Sequence, residues 1–523
     1  MKGIFLRKLE VKSGGVKSGG VEEWRSGGVN SPTPNSPTPN FNIAQKCDPL
    51  AYWAVVEGLG FLGAPHALAA AEKNRGLKAQ QLLECISDYW GIGCYDEVIA
   101  LCDAALAKAA TEKPYATEGA LPLKDTIAAC DSYRNALFGY FKGAALEKVG
   151  VKSSSSRKEG QIPPSNSNLR LQLAQAAFAA AAAMPTDYCF PNRLEEEEVL
   201  KIAAAAAPEL ANTWYYLGCC EWNHDRKDAG LADWKKCVEL MPEHALALRC
   251  IGFALSHPGT YFTNTGIPSG VPSKEAYEYY LKSLEADPGN FRTLDEAGKL
   301  AEKLKLPAAE RLALMEKYRA TVDKYDPCIL RYAYTLNAVG RYAEAHKILT
   351  TRRFHVWEGA DGLLAPFVES CLGIGKAAME KGDYKTALKF FEESTTYPEN
   401  LQAGRPGDAG TEPKSRYYMA QCKKALGDAA GYKAELENSL KGWIHAGEMD
   451  YWRVKALHEL GRDAEAAPLI AELKQAIKEL ETPQPVVINA YAKFAGDNSA
   501  MERAAKAREK AGFLRSLLSE IDR

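Results

Sequence analysis

The stretch WYYLGCCEWNHDRKDAGLADWKKCVELMP, residues 214–242, decides the fold. Trp214, Leu217 and Gly218 share one face of a helix, and Gly218 leaves room for a second helix to come close. Trp234, twenty positions after Trp214, and Cys237 at twenty-three supply the bulky and small residues that pack the second helix back on the first. Pro242 at twenty-eight cannot continue it. The spacing therefore predicts an antiparallel helical hairpin. One such hairpin cannot bury its own apolar face, so neighbours must stack on both sides.

Working outward, Gly-x-Tyr punctuation recurs with a small or β-branched residue three positions after the Tyr. Gly93-Cys-Tyr95 precedes Val98, Gly340-Arg-Tyr342 precedes Ala345, and Gly382-Asp-Tyr384 precedes Ala387. The Gly closes a first helix, the Tyr opens a second, and the third residue allows close approach. Anchored on these marks, hairpins are expected near 79–112, 211–244, 326–355, 368–400, 413–446 and 447–475. Distorted hairpins are expected at 132–185, with Ala174, Phe178 and Ala181 on the second helix, and at 245–289, with Ala276 and Tyr280 there. Residues 291–325 fit the spacing loosely. No strand-like alternation follows residue 50. The offsets resemble those of tetratricopeptide repeats. The predicted class is all-α, an α-solenoid of tetratricopeptide-like helical hairpins with a disordered N-terminal tail.

The tail is residues 1–45, where Val11-Lys-Ser-Gly-Gly and Asn30-Ser-Pro-Thr-Pro are each repeated at once. Gly, Ser and Pro at this density bury too little apolar surface to offset chain entropy. The array is placed at 46–480, with polar inserts near 151–169 and 257–273, and a C-terminal helical cap at 481–523. The 523 residues far exceed a typical single domain. Lys plus Arg (65) nearly balances Asp plus Glu (67), which removes the electrostatic case for nucleic acid or an anionic membrane. No apolar run reaches the roughly eighteen residues of a membrane span. Thirteen cysteines without a CxxC or regular framework, including Cys102, Cys237 and Cys371 at helix-packing positions, predict buried reduced thiols and a cytoplasmic protein.

Three strings go beyond the repeat pattern: Tyr188-Cys-Phe-Pro-Asn-Arg-Leu-Glu-Glu196, Arg353-Phe-His-Val-Trp-Glu-Gly359 and Tyr397-Pro-Glu-Asn-Leu401. In this order and separation they resemble the C-terminal half of a bacterial family in which a mutarotase-like β-sandwich domain of unknown function precedes the repeats. The resemblance spans roughly residues 50–475. It implies a helical array and a link to carbohydrate, although the sandwich half is absent from this chain.

Within the strings, Asn192 three residues before Glu195 is the chemistry of an N-cap with a reciprocal carboxylate. Acid–base work by two of the glutamates 195–198 is disfavoured, because adjacent helix positions point apart. His355, Trp357 and Glu358 occupy an interrepeat loop, where an aromatic face beside a carboxylate suits a sugar. The competing reading has Phe354 and Trp357 plugging the gap between hairpins. On the inner face, Asn212, Tyr215, Trp222 and Asn223, with Tyr334, Asn337 and Tyr417 at comparable positions, offer adaptable contacts to a partner. Trp214 is expected in the core.

A chaperone-tail carboxylate clamp would need Lys and Asn at fixed places in three units, and that set is missing. No HExxH, His/Cys ligand spacing, phosphate loop or nucleophile elbow occurs, so neither metal nor cofactor is expected. The sequence thus predicts a non-catalytic scaffold that binds another protein or peptide through its concave groove. The alternative is the helical half of a carbohydrate-binding or carbohydrate-active protein.

Overall fold

A computed structural model describes residues 79–112, 132–155, 165–256, 273–355, 362–402, 412–442, 447–482 and 499–521. The proposed tail (1–45), residues 156–164 and 257–272 of the two expected inserts, Trp357 and Glu358 lie outside them. Among the described residues there are twenty-one α-helices and no strand. They fall into two compact units, one ending at Pro242 and the other running from Glu243.

The first unit holds α1 (Ala79–Gly91), α2 (Tyr95–Ala109), α3 (Leu137–Ser155), α4 (Ser165–Ala182), α5 (Leu194–Ala206), α6 (Ala211–Asn223) and α7 (Lys227–Leu240). The second holds α8 (Ala245–Ser256), α9 (Lys274–Ala286), α10 (Phe291–Lys303), α11 (Ala308–Lys317), the single turn α12 (Arg319–Val322), α13 (Asp326–Ala338), α14 (Tyr342–Thr351), α15 (Leu364–Glu380) and α16 (Tyr384–Glu393). It continues with α17 (Pro413–Ala425), α18 (Ala429–Ser439), α19 (Glu448–Glu459), α20 (Asp463–Glu481) and α21 (Ser499–Ile521).

The punctuation acts as its chemistry requires. Gly340 and Gly382 take left-handed φ of 79° and 76°, ending α13 and α15, and Tyr342 and Tyr384 then open α14 and α16. Val98, Ala345 and Ala387 are fully buried, where the second helix meets the first. Asp225, at φ 62°, does the work of glycine between α6 and α7. The distorted hairpins form as well: Ala174, Phe178, Ala181, Ala276 and Tyr280 are all core. Side-chain caps start several helices, with Asn290, Asp383 and Asp428 accepting from the backbone N–H of Thr293, Thr386 and Gly431. α21 lies on α20 through Leu473, Ile477, Ala511, Leu514 and Leu518.

The capping frame of α5 differs from the sequence expectation by one residue. The helix begins at Leu194, so Arg193, not Asn192, is the N-cap. The reciprocal carboxylate belongs to Glu196, not Glu195, and accepts from the N–H groups of Asn192 and Arg193 at 2.6 and 2.9 Å. Pro191 precedes the cap, and Glu196, 3% exposed, turns inward to make it.

At the start of the second unit, His244 is 6% exposed and its Nδ1 accepts from the N–H of Ala247 at 3.1 Å, capping α8. Burial lowers its pKa from 6.5 to about 4. Between those values the unfolded chain binds a proton that the fold refuses. The neutral cap therefore stabilises fully above pH 6.5, and the contribution is lost as pH falls toward 4. It amounts to about 3 kcal/mol at 1.36 kcal/mol per pKa unit. His244→Asn keeps a capping acceptor without the titration. Urea unfolding at pH 7.5 and 4.5 should show wild type losing about 2–3 kcal/mol more than this variant on acidification; equal losses would exclude His244 as the source.

Candidate functional site

Three first helices of successive hairpins in the second unit build a groove of about 620 Å³. α10 contributes Asp295, Lys299 and Glu302, spaced four and three residues apart on one helical face. α13 contributes Asp326, Leu330, Tyr334 and Ala338, a stripe at intervals of four, with Arg331 beside it. Leu363 and Glu369 come from the start of α15, Arg311 from α11, and Tyr325 and His355 from connecting segments.

The charges of the groove face each other. Arg331 donates to Glu302 at 2.6 Å and approaches Asp295 at 3.3 Å. Lys299 donates to the other oxygen of Asp295 at 2.6 Å, and Arg311 pairs with Glu302 at 3.4 Å. Arg331 lies across α10 because residue 298 is glycine: a Cβ there would stand 2.3 Å from Arg331 Cδ and 2.7 Å from Met315 Cε. Glu369 stays exposed at the opposite wall. Burial raises the Tyr334 pKa, and the nearby carboxylates of Glu369 and Glu302 add to it, so the phenol remains a donor. It donates to the carbonyl of Gly362 at 3.0 Å.

The segments at 353–355 and 397–401 hold the rim. Asp326 accepts from Arg352 Nε and Nη2 at 3.0 and 2.8 Å, and from the N–H of His355 at 3.0 Å. Asn400 donates to the carbonyls of Leu349 and Arg352, both at 2.7 Å, and the N–H of Phe354 donates back to Asn400 at 2.9 Å. Phe354 is 2% exposed, a plug as the competing sequence reading had it. The strings at 353–359 and 397–401 are thus clamped together where both are described. His355 is left exposed at the groove edge.

Of the residues expected to line an inner face, Tyr334 lines this groove, and His355 reaches it from the interrepeat loop. The others do not join them. Asn337 is 2% exposed and donates to Pro366 O at 2.8 Å, because its register on α13 turns it toward α15. Tyr417, 8% exposed, packs against Trp452 with ring centroids 5.4 Å apart and donates to Glu459 at 3.2 Å.

In the first unit, Tyr215 is 8% exposed against Tyr216, while Trp214, expected in the core, is half-buried with its indole N–H on Pro208 O at 2.8 Å. The expected faces of these two residues are therefore exchanged. Trp222 is half-buried on Trp234, with the Lys227 ammonium 4.6 Å from its ring. Asn212 holds Ala182 O at 2.7 Å, and Asn223 is exposed.

Of the four glutamates 195–198, Glu196 caps α5 and the next two are engaged structurally. Glu198 accepts from Trp90 Nε1 at 2.8 Å and from Lys148 at 3.1 Å. Glu197 joins Lys201, His224 and Arg226. Arg226 also pairs with Glu221, which meets Lys201 at 2.9 Å. Burial, and then the Glu221 charge, push the Asp233 carboxyl up to about 7.

Sequence reasoning missed Asp295, Glu302, Arg311 and Arg331. Their signal is the i, i+4, i+7 run of charges 295/299/302 on a helix that fitted the repeat spacing loosely, and it reads equally as a solvated face. No helix among the described residues is long and apolar enough to cross a membrane.

A family model, Tetratricopeptide repeat, matches residues 368–400, which span most of α15 and all of α16. Among solved structures, the chain is similar to PilW, a widely conserved type IV pilus biogenesis factor (15% identity, 44% of this chain and 92% of that one, TM-score 0.23). It is similar to yeast Tom70 (13%, 75% and 91%, TM-score 0.22) and to the TPR domain of P58(IPK) (11%, 84% and 98%, TM-score 0.25).

Proposed function

We propose that this chain is a non-catalytic interaction scaffold whose second unit takes an extended peptide segment of a partner protein in the groove between α10, α13 and α15. The observation that carries the reading is the mixed-charge lining: four carboxylates and three cations converge with two tyrosines on an open groove of about 620 Å³. A peptide brings both charge signs and a backbone that needs donors and acceptors, and this wall supplies them. Arg331 is the key cation, held half-buried by two carboxylates yet reaching the groove. The match of residues 368–400 to the tetratricopeptide repeat supports the same reading, since stacked helical repeats present extended concave binding surfaces.

Peptides selected from a random display library on the wild-type protein should bind Arg331→Ala about 10- to 100-fold more weakly, the loss of one charge-assisted contact. Tyr334→Phe should cost less, and Tyr215→Ala/Trp222→Ala in the first unit should leave affinity unchanged. Fluorescence anisotropy measures all three. Affinity indifferent to Arg331, or lost in the first-unit variant, would count against this groove. A library that yields no peptide, together with binding on a glycan array that Trp357→Ala removes, would favour the carbohydrate alternative, in which His355, Trp357 and Glu358 do the binding.

A further inference from the structure

We propose that His346, Cys371 and Glu393 form a binding site for one zinc ion in the second unit. The three come from three consecutive helices, α14, α15 and α16, and their ligand atoms all lie within 4.8 Å of one another. Among the described residues no other trio of His, Cys, Asp and Glu side chains gathers this way. Imidazole, thiolate and carboxylate are the three donor types that zinc accepts together, and three protein ligands leave a fourth tetrahedral position for water. A thiolate and an imidazole disfavour the hard cations Mg²⁺ and Ca²⁺.

The donors are already oriented. His346 Nε2 and Glu393 Oε1 are 2.7 Å apart, hydrogen-bonded across the gap between second helices. The imidazole is fixed between Phe367, stacked with centroids 6.0 Å apart, and Phe390, edge-on at 5.4 Å. Cys371 is fully buried beneath them and makes no disulfide. The His346 and Glu393 side chains are 18% and 28% exposed, which gives an ion a way in from that side. Tetrahedral zinc sets its ligand atoms about 3.5 Å apart, so closing the trio asks for rotamer adjustments of about 1 Å. On binding, the metal–sulfur bond replaces the S–H bond, and the thiol proton leaves to solvent. The hydrogen bond between His346 and Glu393 gives way to the shared ion. The Nε2 proton is lost from that nitrogen, moving to Nδ1 when the ring starts neutral and to solvent when it starts protonated, so the imidazole binds neutral.

Within the repeat, Cys371 sits on the first helix of the segment that matches the tetratricopeptide model, and Glu393 on its second. His346 belongs to the preceding hairpin. A bound ion would therefore tie two hairpins together beside the groove-forming helices α13 and α15.

The test is titration of the reduced full chain with Zn²⁺ against a chromophoric chelator, with Co²⁺ as the optical reporter. One equivalent should bind, and Co²⁺ should show a thiolate charge-transfer band. Cys371→Ser should abolish that band. Cys371→Ser and His346→Gln should each weaken Zn²⁺ by at least the roughly 10- to 100-fold that loss of a partner outside the ligand set produces. Cys250→Ser, a control at a partly exposed thiol, should change nothing. If Cys371→Ser does not fold by circular dichroism, His346→Gln and Glu393→Gln carry the test, because both side chains reach the surface. Failure of the wild type to take up one equivalent, or uptake unchanged in the His346 and Glu393 variants, overturns the proposal.

Discussion

Asp450→Asn is expected to destabilise the second unit by about 3–5 kcal/mol, the cost of breaking a buried ion pair from one side. Asp450 is 1% and Arg453 4% exposed in side chain, joined at 2.5 Å. Asp450 also accepts from the N–H of Gly447 at 3.3 Å, where α19 begins, and Arg453 donates to Lys441 O at 3.0 Å. The pair thus fastens α19 to the segment that follows α18. With asparagine the guanidinium stays buried without its carboxylate. Arg453→Met on top of Asp450→Asn should recover part of the loss, because an uncharged pair of similar volume avoids the desolvation penalty. Urea midpoints for the single and double variants measure this, and a double variant that is no better than the single one would contradict the account.

Gly230→Ala should lower the stability of the first unit by about 2–3 kcal/mol, although alanine ordinarily favours a helix interior over glycine by about 1 kcal/mol. The sign reverses because α6 and α7 meet backbone to backbone. A Cβ at Gly230 would stand 2.8 Å from Gly218 O and 3.0 Å from Trp222 N, atoms that cannot rotate aside. Reciprocally, a Cβ at Gly218 would meet Gly230 O at 2.9 Å and Trp234 Cδ1 at 2.6 Å. Gly512→Ala on α21, where nothing lies within 4 Å, is the counterpart and should stabilise by up to about 1 kcal/mol. Thermal unfolding of the two variants should therefore move in opposite directions, and a neutral Gly230→Ala would mean that the two helices can separate at no cost.

Hairpin positions were legible because each rests on short-range chemistry. Tyr342 and Tyr384 open their helices where the Gly-x-Tyr spacing puts them, and Trp234 with Cys237 packs α7 on α6. Which side of a helix an aromatic takes was less legible. Tyr215 and Trp214 are adjacent, both amphipathic, and α5, a single helix outside the hairpin pattern, packs along α6. Asn337 and Tyr417 read as groove residues from their spacing, but each gives its side-chain donor to a neighbouring helix.

The groove itself joins residues from 295 to 369, and its charges are informative only as partners. Arg331 alone is a surface cation, whereas Arg331 over Gly298, between Asp295 and Glu302, is a constructed feature. The His346, Cys371 and Glu393 trio escaped a search for ligand spacing because each residue sits on a different helix.

Hydrogen exchange of the full chain, with and without a peptide selected on it, tests the groove most directly. Binding should slow exchange of amides in α10, α13 and the start of α15, around residues 295–302, 325–338 and 363–369, and Arg331→Ala should remove that protection. Protection confined to α6 and α7 around Tyr215 and Trp222, or to the Tyr417 cluster of α17 and α19, would contradict it.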